Sequence, residues 1–299
     1  MSSKHCLSFD VEEHFQVSAF ESPMRRRHWD LYESRVERNT SKVLDILARH
    51  ETRATFFILG WVAERFPDLV KQIASAGHEI ASHGYQHELI TGQTPDAFRH
   101  DVRKSKAILE QLISVPIYGY RAPSFSIMKE TTWALSILAE EGYLYDSSIF
   151  PILHDRYGIS AASPYVHQIR TDSGVLWEVP PSTIKLFGFG IPIAGGGYFR
   201  LYPYFLLRAL LGRIAATDVP LVMYLHPWEL DPEQPRMEGP LVSRMRHYLN
   251  LGRTEGRLNK LLNDFDFAPI CDAIAPLRSL CRENQSMGSS CCLRTVPAQ

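Results

Sequence analysis

The sequence predicts an α/β fold arranged as a (β/α) barrel in a single domain, and three observations carry that prediction. Short apolar runs rich in β-branched and aromatic residues alternate with helix-period segments about six or seven times along the chain, the pattern of parallel strands joined by crossover helices. Neither a glycine-rich dinucleotide fingerprint nor a phosphate-binding loop interrupts the alternation, so an open nucleotide-binding sheet fits less well. No internal repeat is visible, and no linker precedes about residue 283. In such a barrel the functional side chains belong at the carboxyl ends of the strands.

The first strand is expected at Cys6–Phe9, an apolar run that ends in the acidic sequence Asp10-Val11-Glu12-Glu13-His14. A helix should begin near Thr40-Ser41 and bury Val43, Leu44 and Leu47. Ala54–Leu59 reads as a strand. Pro67 then opens a helix with Leu69, Val70, Ile73 and Ala74 on its apolar face, and Gly77 ends it in a left-handed conformation. Glu79–Ser82 is the strand that delivers His83. Thr94-Pro95 is an N-cap followed by an N1 proline, starting a helix that carries Phe98, Val102, Leu109 and Leu112. Tyr118–Arg121, Tyr143–Asp146, Val175–Val179 and Pro220–Leu225 read as further strands, and Phe267–Ile270 as a last one. Helices are expected at Glu130–Glu141, Pro203–Ile214 and near Arg253–Asp264. Residues 150–175 read as loop, Gly195-Gly196-Gly197 as a flexible turn, and Glu283–Gln299 as a disordered tail.

Composition narrows the function classes. Hydrophobic residues make up 45% of the 299, ample for a buried core, and the formal net charge of −1 gives no reason to expect nucleic acid or an anionic membrane as partner. The basic cluster Arg25-Arg26-Arg27-His28 reads as a solvated loop. Five cysteines, an odd number with no CxxC pair, argue against a disulfide framework and for a reducing compartment. The first residues show no cleavable signal sequence, which makes the cytoplasm the expected location. No stretch approaches the roughly 20 apolar residues of a membrane span.

The polar residues at the expected strand ends are Asp10 and Glu12, His83 and His87, Arg121, Asp146, and His226. His83 and His87 stand four residues apart with Gly84 between them. Two imidazoles converging at a strand end suit a borderline-soft divalent metal such as zinc. Each residue alone also has an ordinary structural reading, as a helix cap, an ion-pair partner or a turn residue. Their coincidence at five separate strand ends favours a common site.

Read as SFDVEEH (8–14), SHGYQH (82–87), YRAPSF (120–125), YDSS (145–148) and YLHPW (224–228), these segments resemble the five motifs of the polysaccharide deacetylase family, the NodB-homology domain of carbohydrate esterase family four. Order and spacing match over roughly residues 5–230. DVEEHFQVSAF, AGGGYFRLYP, HPWELDPEQPR and RHYLNLGRTEGRL are similar to the subgroup associated with exosortase-type exopolysaccharide systems. The resemblance implies a distorted (β/α) barrel of about seven parallel strands over residues 1–282, with a subgroup-specific C-terminal extension from about 230. It implies a metal-dependent hydrolase that removes N-acetyl groups from an amino-sugar polysaccharide or oligosaccharide, using one divalent ion (zinc, with cobalt, nickel or manganese as alternatives).

Within that resemblance Asp10 is the general base, Arg121 its counter-charge, and His226 the general acid, with Asp146 orienting His226 and raising its pKa. The metal ligands are His83, His87 and a carboxylate. One departure stands out, because the family's first motif has two adjacent aspartates and here Val11 follows Asp10. Strand alternation turns Val11 into apolar packing and returns Glu12 to the Asp10 side, so Glu12 is assigned as the third ligand and Glu13 is the competing choice. Tyr120, Pro123 and Trp228 are expected at the substrate, with Phe15, Tyr85, Phe125 and Trp177 as further aromatic candidates. Rival functions are hydrolysis of a small cyclic amide on the same barrel, a non-catalytic carbohydrate-binding relic, and, more distantly, a two-histidine, one-carboxylate iron oxygenase.

Overall fold

The computed structural model describes residues 4–20, 23–154, 156–186 and 189–291. Its strands are β1 (His5–Val11), β2 (Thr55–Ile58), β3 (Glu79–Ser82), β4 (Gly119–Tyr120), β5 (Tyr145–Asp146), β6 (His167–Thr171), β7 (Gly174–Glu178), β8 (Thr183–Leu186), β9 (Phe189–Pro192), β10 (Val222–Leu225) and β11 (Phe267–Ala268). The main sheet has the order β10-β1-β2-β3-β4-β5-β7-β6, with β11 also paired to β1. From β10 to β7 every neighbouring pair is parallel, which gives the run of seven parallel strands expected. Only β6 runs antiparallel, as a hairpin with β7.

Helices cover the outer side. Parallel strands flanked in this way are buried on both faces, so their sequences are apolar throughout rather than alternating. All seven residues of β1 are buried, as are all four of β2 and of β10. The helix Val36–Arg49 buries Val43, Leu44, Ile46 and Leu47, and the helix Pro67–Ser75 buries Leu69, Val70 and Ile73. Gly77 has φ +79°, the left-handed value its place after that helix requires. Thr94 Oγ1 accepts a hydrogen bond from the Ala97 backbone N–H at 3.2 Å and caps the helix Pro95–Ile113.

Several expectations need correction. Residues 150–175 contain β6, whose half-exposed hairpin sequence HQIRT lacks the apolar signature of the parallel strands. The small hairpin β8–β9 lies outside the main sheet and also gave no such signature. The Gly195-Gly196-Gly197 run is not a flexible turn: Gly195 precedes a short helix, Gly196–Leu201, that packs against the site. The helix Leu241–Tyr248 was not expected at all. The tail expected to be disordered is helical as far as Cys291, within Ala275–Cys291, and residues 292–299 lie outside the described residues. Among the described residues no helix is long and apolar enough to cross a membrane.

The topology fixes where the chemistry can sit. β1 lies between β10 and β2, with Phe9 opposite Leu225 and Phe56, so the residues following β1 and β10 emerge side by side. His83 follows β3 directly, and Arg121 follows β4.

Candidate active site

At the carboxyl ends of these strands a cleft of about 720 Å³ is lined by Asp10, Glu12, His83, His87, Trp228 and His226, among others. One side of it is organised by Arg121, which is fully buried. Its Nη1 donates to Asp10 Oδ1 at 2.7 Å and to Ser8 Oγ at 2.8 Å, and its Nε and Nη2 donate to the carbonyl and hydroxyl of Ser147 at 3.1 and 2.7 Å. The guanidinium lies 4.1 Å over the Phe57 ring. The planar fork of arginine meets all four acceptors at once, which a lysine could not do. One carboxylate oxygen of Asp10 is thereby held, and the other lies 3.9 Å from His226 Nε2.

Glu12, His83 and His87 form the one group of potential metal ligands found among the described residues, with their donor atoms within 4.8 Å of one another. Glu12 Oε2 lies 2.7 Å from His87 Nε2 and 4.0 Å from His83 Nε2. Nδ1 of His83 is occupied by the backbone carbonyl of Arg121 at 2.8 Å, which fixes the ring and turns Nε2 to the cluster. Burial pulls the His83 imidazole down to about 4, so it is neutral at pH 7 with a lone pair to give. Burial raises the Glu12 carboxyl, but the neighbouring His87, and after it His226 and His83, outweigh that and hold it well below its ordinary range. Two neutral-capable imidazoles and an ionised carboxylate, all buried, are a fitting donor set for a borderline divalent cation. His87 reaches the cluster from a left-handed backbone (φ +53°), a strained conformation for a non-glycine residue that the surrounding packing holds.

The choice between the two glutamates is resolved by their partners. Glu13 accepts hydrogen bonds from the Ser34 hydroxyl and, at 3.0 and 3.2 Å, from the backbone N–H groups of Arg35 and Val36. It therefore caps the start of the helix Val36–Arg49 and points away from the imidazoles. Glu12 instead accepts the indole N–H of Trp228 on Oε1 at 3.1 Å.

On the opposite side, His226 Nε2 lies 3.7 Å from Glu12 Oε1 and its Nδ1 lies 2.7 Å from Glu229 Oε1. Burial lowers the His226 pKa, but the hydrogen bond to Glu229, with Glu12 and Asp10 nearby, more than offsets this and leaves it raised. The structure thus places Glu229, not Asp146, against the His226 ring, and sequence reasoning did not single Glu229 out. The signal was present: an acid three residues after a strand-end histidine, with Pro227 opening the turn between them, reaches back as a capping acid does.

Asp146 lies on β5, apart from His226. It accepts from the backbone N–H of Ser148 at 3.2 Å and from its hydroxyl, and that hydroxyl accepts the Ala122 N–H at 2.7 Å, bracing the chain just after Arg121. Asp146 stands opposite Glu178 in the register of β5 with β7, and both are fully buried. Burial raises both carboxyls, Glu178 further because of the Asp146 charge beside it, which favours one shared proton over two buried charges. An acid raised in the folded state lends stability below its unfolded pKa and loses it as pH rises through the folded value. Glu178→Gln should therefore gain on the wild type in urea-unfolding free energy between pH 5 and pH 8, and a pH-independent difference would show that no proton is shared.

The expected substrate contacts divide. Trp228 lines the cleft, stacked between His226 and His247 at centroid distances of 5.1 and 4.2 Å. Tyr120 does not line it: the side chain is 1% exposed and packs edge-on against Phe98 and Tyr143 in the main core. Pro123 is also buried behind the surface and opens the short turn Pro123–Phe125, which presents Ser124 and Phe125 to the cleft. A side chain on β4 alternates faces like any other, and Tyr120 falls on the core side. Phe15 and Trp177 belong to separate apolar clusters, and Tyr85 lies beside Glu64 and Lys104. Tyr157 and Tyr198 line the cleft instead.

Fold and site together define an α/β protein whose sheet presents a two-histidine, one-carboxylate cluster between a carboxylate and an imidazole. Residues 29–143 match the family model described as polysaccharide deacetylase, and residues 147–275 match a domain of unknown function (DUF3473). Residues 29–143 are thus similar to the polysaccharide deacetylase domain, and the second match is consistent with the exopolysaccharide-associated subgroup of such proteins. It is 38% identical over 96 residues to a peptidoglycan-N-acetylglucosamine deacetylase of Bacillus cereus, covering 32% of this chain and 35% of that one. It is 36% identical over 83 residues to a chitooligosaccharide deacetylase of Rhizobium leguminosarum bv. trifolii, covering 27% and 39%. The chain thus spans about a third of the length of these curated relatives. A crystal structure from Mycobacterium smegmatis, of a protein provisionally assigned as a polysaccharide deacetylase, superposes with a TM-score of 0.61 at 22% identity over 93% of this chain and 92% of that one, and shows the shared fold.

Proposed function

We propose that this protein is a metal-dependent deacetylase that hydrolyses N-acetyl groups on an amino-sugar polysaccharide, in exopolysaccharide biosynthesis. The observation that carries the reading is the convergence in one cleft of a braced carboxylate (Asp10–Arg121), a three-residue donor set (Glu12, His83, His87) and a braced imidazole (His226). Deacetylase relatives supply the class of substrate.

Glu12, His83 and His87 would hold the cation, zinc fitting this donor set best. Such a cation, when bound, supplies Lewis acidity toward an amide carbonyl and makes water a competent nucleophile near neutral pH. Trp228 Nε1 occupies Glu12 Oε1 and so leaves Oε2 for the ion. Asp10 takes the water proton on Oδ2, since Arg121 engages Oδ1. The C–O bond forms at the carbonyl carbon first and the C–N bond breaks afterwards, and a free amide anion would be a very poor leaving group. His226 therefore gives the departing nitrogen a proton from Nε2, so that acetate and a sugar amine are released. Phe125, Tyr157, Tyr198 and Trp228 give the cleft ring faces on which a sugar can lie, with Ser124 and Ser126 as hydrogen-bonding groups.

The test is metal analysis of purified protein paired with acetate release from N-acetylglucosamine oligomers. One equivalent of divalent metal, activity lost on chelation and restored by zinc, and loss of both metal and turnover in His83→Ala and His87→Ala are the expected results. Acetate release that persists at full rate after chelation, or with either histidine replaced, would refute the reading.

A further inference from the structure

The segment 147–275, matched only to a domain of unknown function, contains a polar network that the chemistry above does not yet use. Arg200, on the helix Gly196–Leu201, is 2% exposed, and its Nε donates to Glu229 Oε2 at 2.7 Å. Its Nη1 donates to the backbone carbonyls of His247 and Leu249 at 2.8 and 2.7 Å, tying down the end of the helix Leu241–Tyr248. The other Glu229 oxygen, Oε1, accepts from the His226 backbone N–H at 3.0 Å and meets the His226 ring Nδ1 at 2.7 Å. Glu229 is fully buried. A carboxylate is acceptor-only, so the proton of that last contact belongs to Nδ1, and Nε2 is left facing Asp10 and Glu12.

Gly196 is part of the same arrangement. A Cβ there would stand 1.7 Å from Glu229 Oε1, so the carboxylate lies where any other residue's side chain would begin. From the same segment, His247 donates from Nε2 to Gln234 Oε1 at 2.7 Å and stacks on Trp228, the residue that holds Glu12.

The structure assigns to residues 147–275 the proton-donor half of the catalytic cleft, with Glu229 and Arg200 as positioning residues that fix the orientation and tautomer of His226. The assignment rests on the deacetylase reading. It makes the segment an integral wall of the site: β7 and β10 are strands of the same sheet as β1, and the segment's function is to set the acid opposite the base.

A general acid matters for an amine leaving group and hardly at all for a phenolate, which separates a positioning role from a structural one. Glu229→Gln, Arg200→Lys and Gly196→Ala should be assayed with zinc bound on an N-acetylglucosamine oligomer and on 4-nitrophenyl acetate. We expect kcat for the amide to fall about 10- to 100-fold with KM changed by less than about 3-fold, and turnover of the aryl ester to fall by less than about 3-fold, with one metal per chain retained. His226→Ala should show the same split. Equal losses on both substrates, or no loss on the amide, would overturn the assignment while the deacetylase reading stands. A wild-type protein that releases no acetate from N-acetylated glycans would remove the reading beneath it. Should the variants not fold, the ring-nitrogen shifts of His226 in the wild-type zinc form decide the matter: a proton on Nδ1 in the neutral ring supports the assignment, and a proton on Nε2 alone overturns it.

Discussion

Asp10→Asn should lower amide turnover by about 100- to 10,000-fold while leaving the fold and the bound metal in place. Asparagine keeps an acceptor oxygen for Arg121 Nη1, 2.7 Å away, so the brace survives the substitution. What disappears is a group able to take a proton at the position 3.9 Å from His226 Nε2. None of the three metal-type ligands is touched, so metal content should stay at one equivalent. Circular dichroism, metal analysis and acetate release on the same preparation check all three points. Turnover within about 10-fold of wild type would mean that the proton goes elsewhere, and Asp10 would lose its role.

Arg121→Met should destabilise the protein by about 3–5 kcal/mol, the cost of leaving a buried carboxylate without its partner. Arg121 and Asp10 are 0% and 2% exposed, so no solvent can replace the guanidinium without opening the site. Ser8 and Ser147 would lose their partner too. The double variant Asp10→Asn with Arg121→Met should cost clearly less than the two single variants added together, because the uncompensated charge is then gone. Additivity within about 0.5 kcal/mol in urea unfolding would show that the two residues are not energetically coupled.

The parts of this site that could be read from the sequence are those tied to strand ends. An apolar run followed by a polar residue locates the end of a parallel strand, and four such ends gave Asp10, Glu12, His83, Arg121 and His226. Strand alternation also favoured Glu12 over Glu13, since Val11 faces the core, and the structure places Glu12 beside the two imidazoles. The failures have a common cause, which is that partners across the fold leave no local trace. Asp146 sits at a strand end like the others, yet its neighbour across the sheet is Glu178 and not His226. Tyr120 adjoins Arg121 in sequence but takes the opposite face and becomes core. Arg200 lies 29 residues before the glutamate it holds, within a glycine-rich stretch whose composition suggested a turn. Of the hairpin β6–β7 only β7 was legible; β6 is half-exposed and lacks the continuous apolar pattern by which the buried strands were found.

The pairing of β1 with β10 has a consequence for how the protein comes into being. Ser8 hydrogen-bonds the Met223 carbonyl across 215 positions of chain, so the Asp10 carboxylate is synthesised long before the His226 imidazole that comes to face it. A ribosome that has finished the first 150 residues has produced every candidate ligand and the carboxylate–guanidinium pair, but no donor. Until β10 is made, β1 lacks its neighbour on that side and Glu12 lacks the Trp228 indole, so the ligand cluster and the His226 imidazole reach their places together.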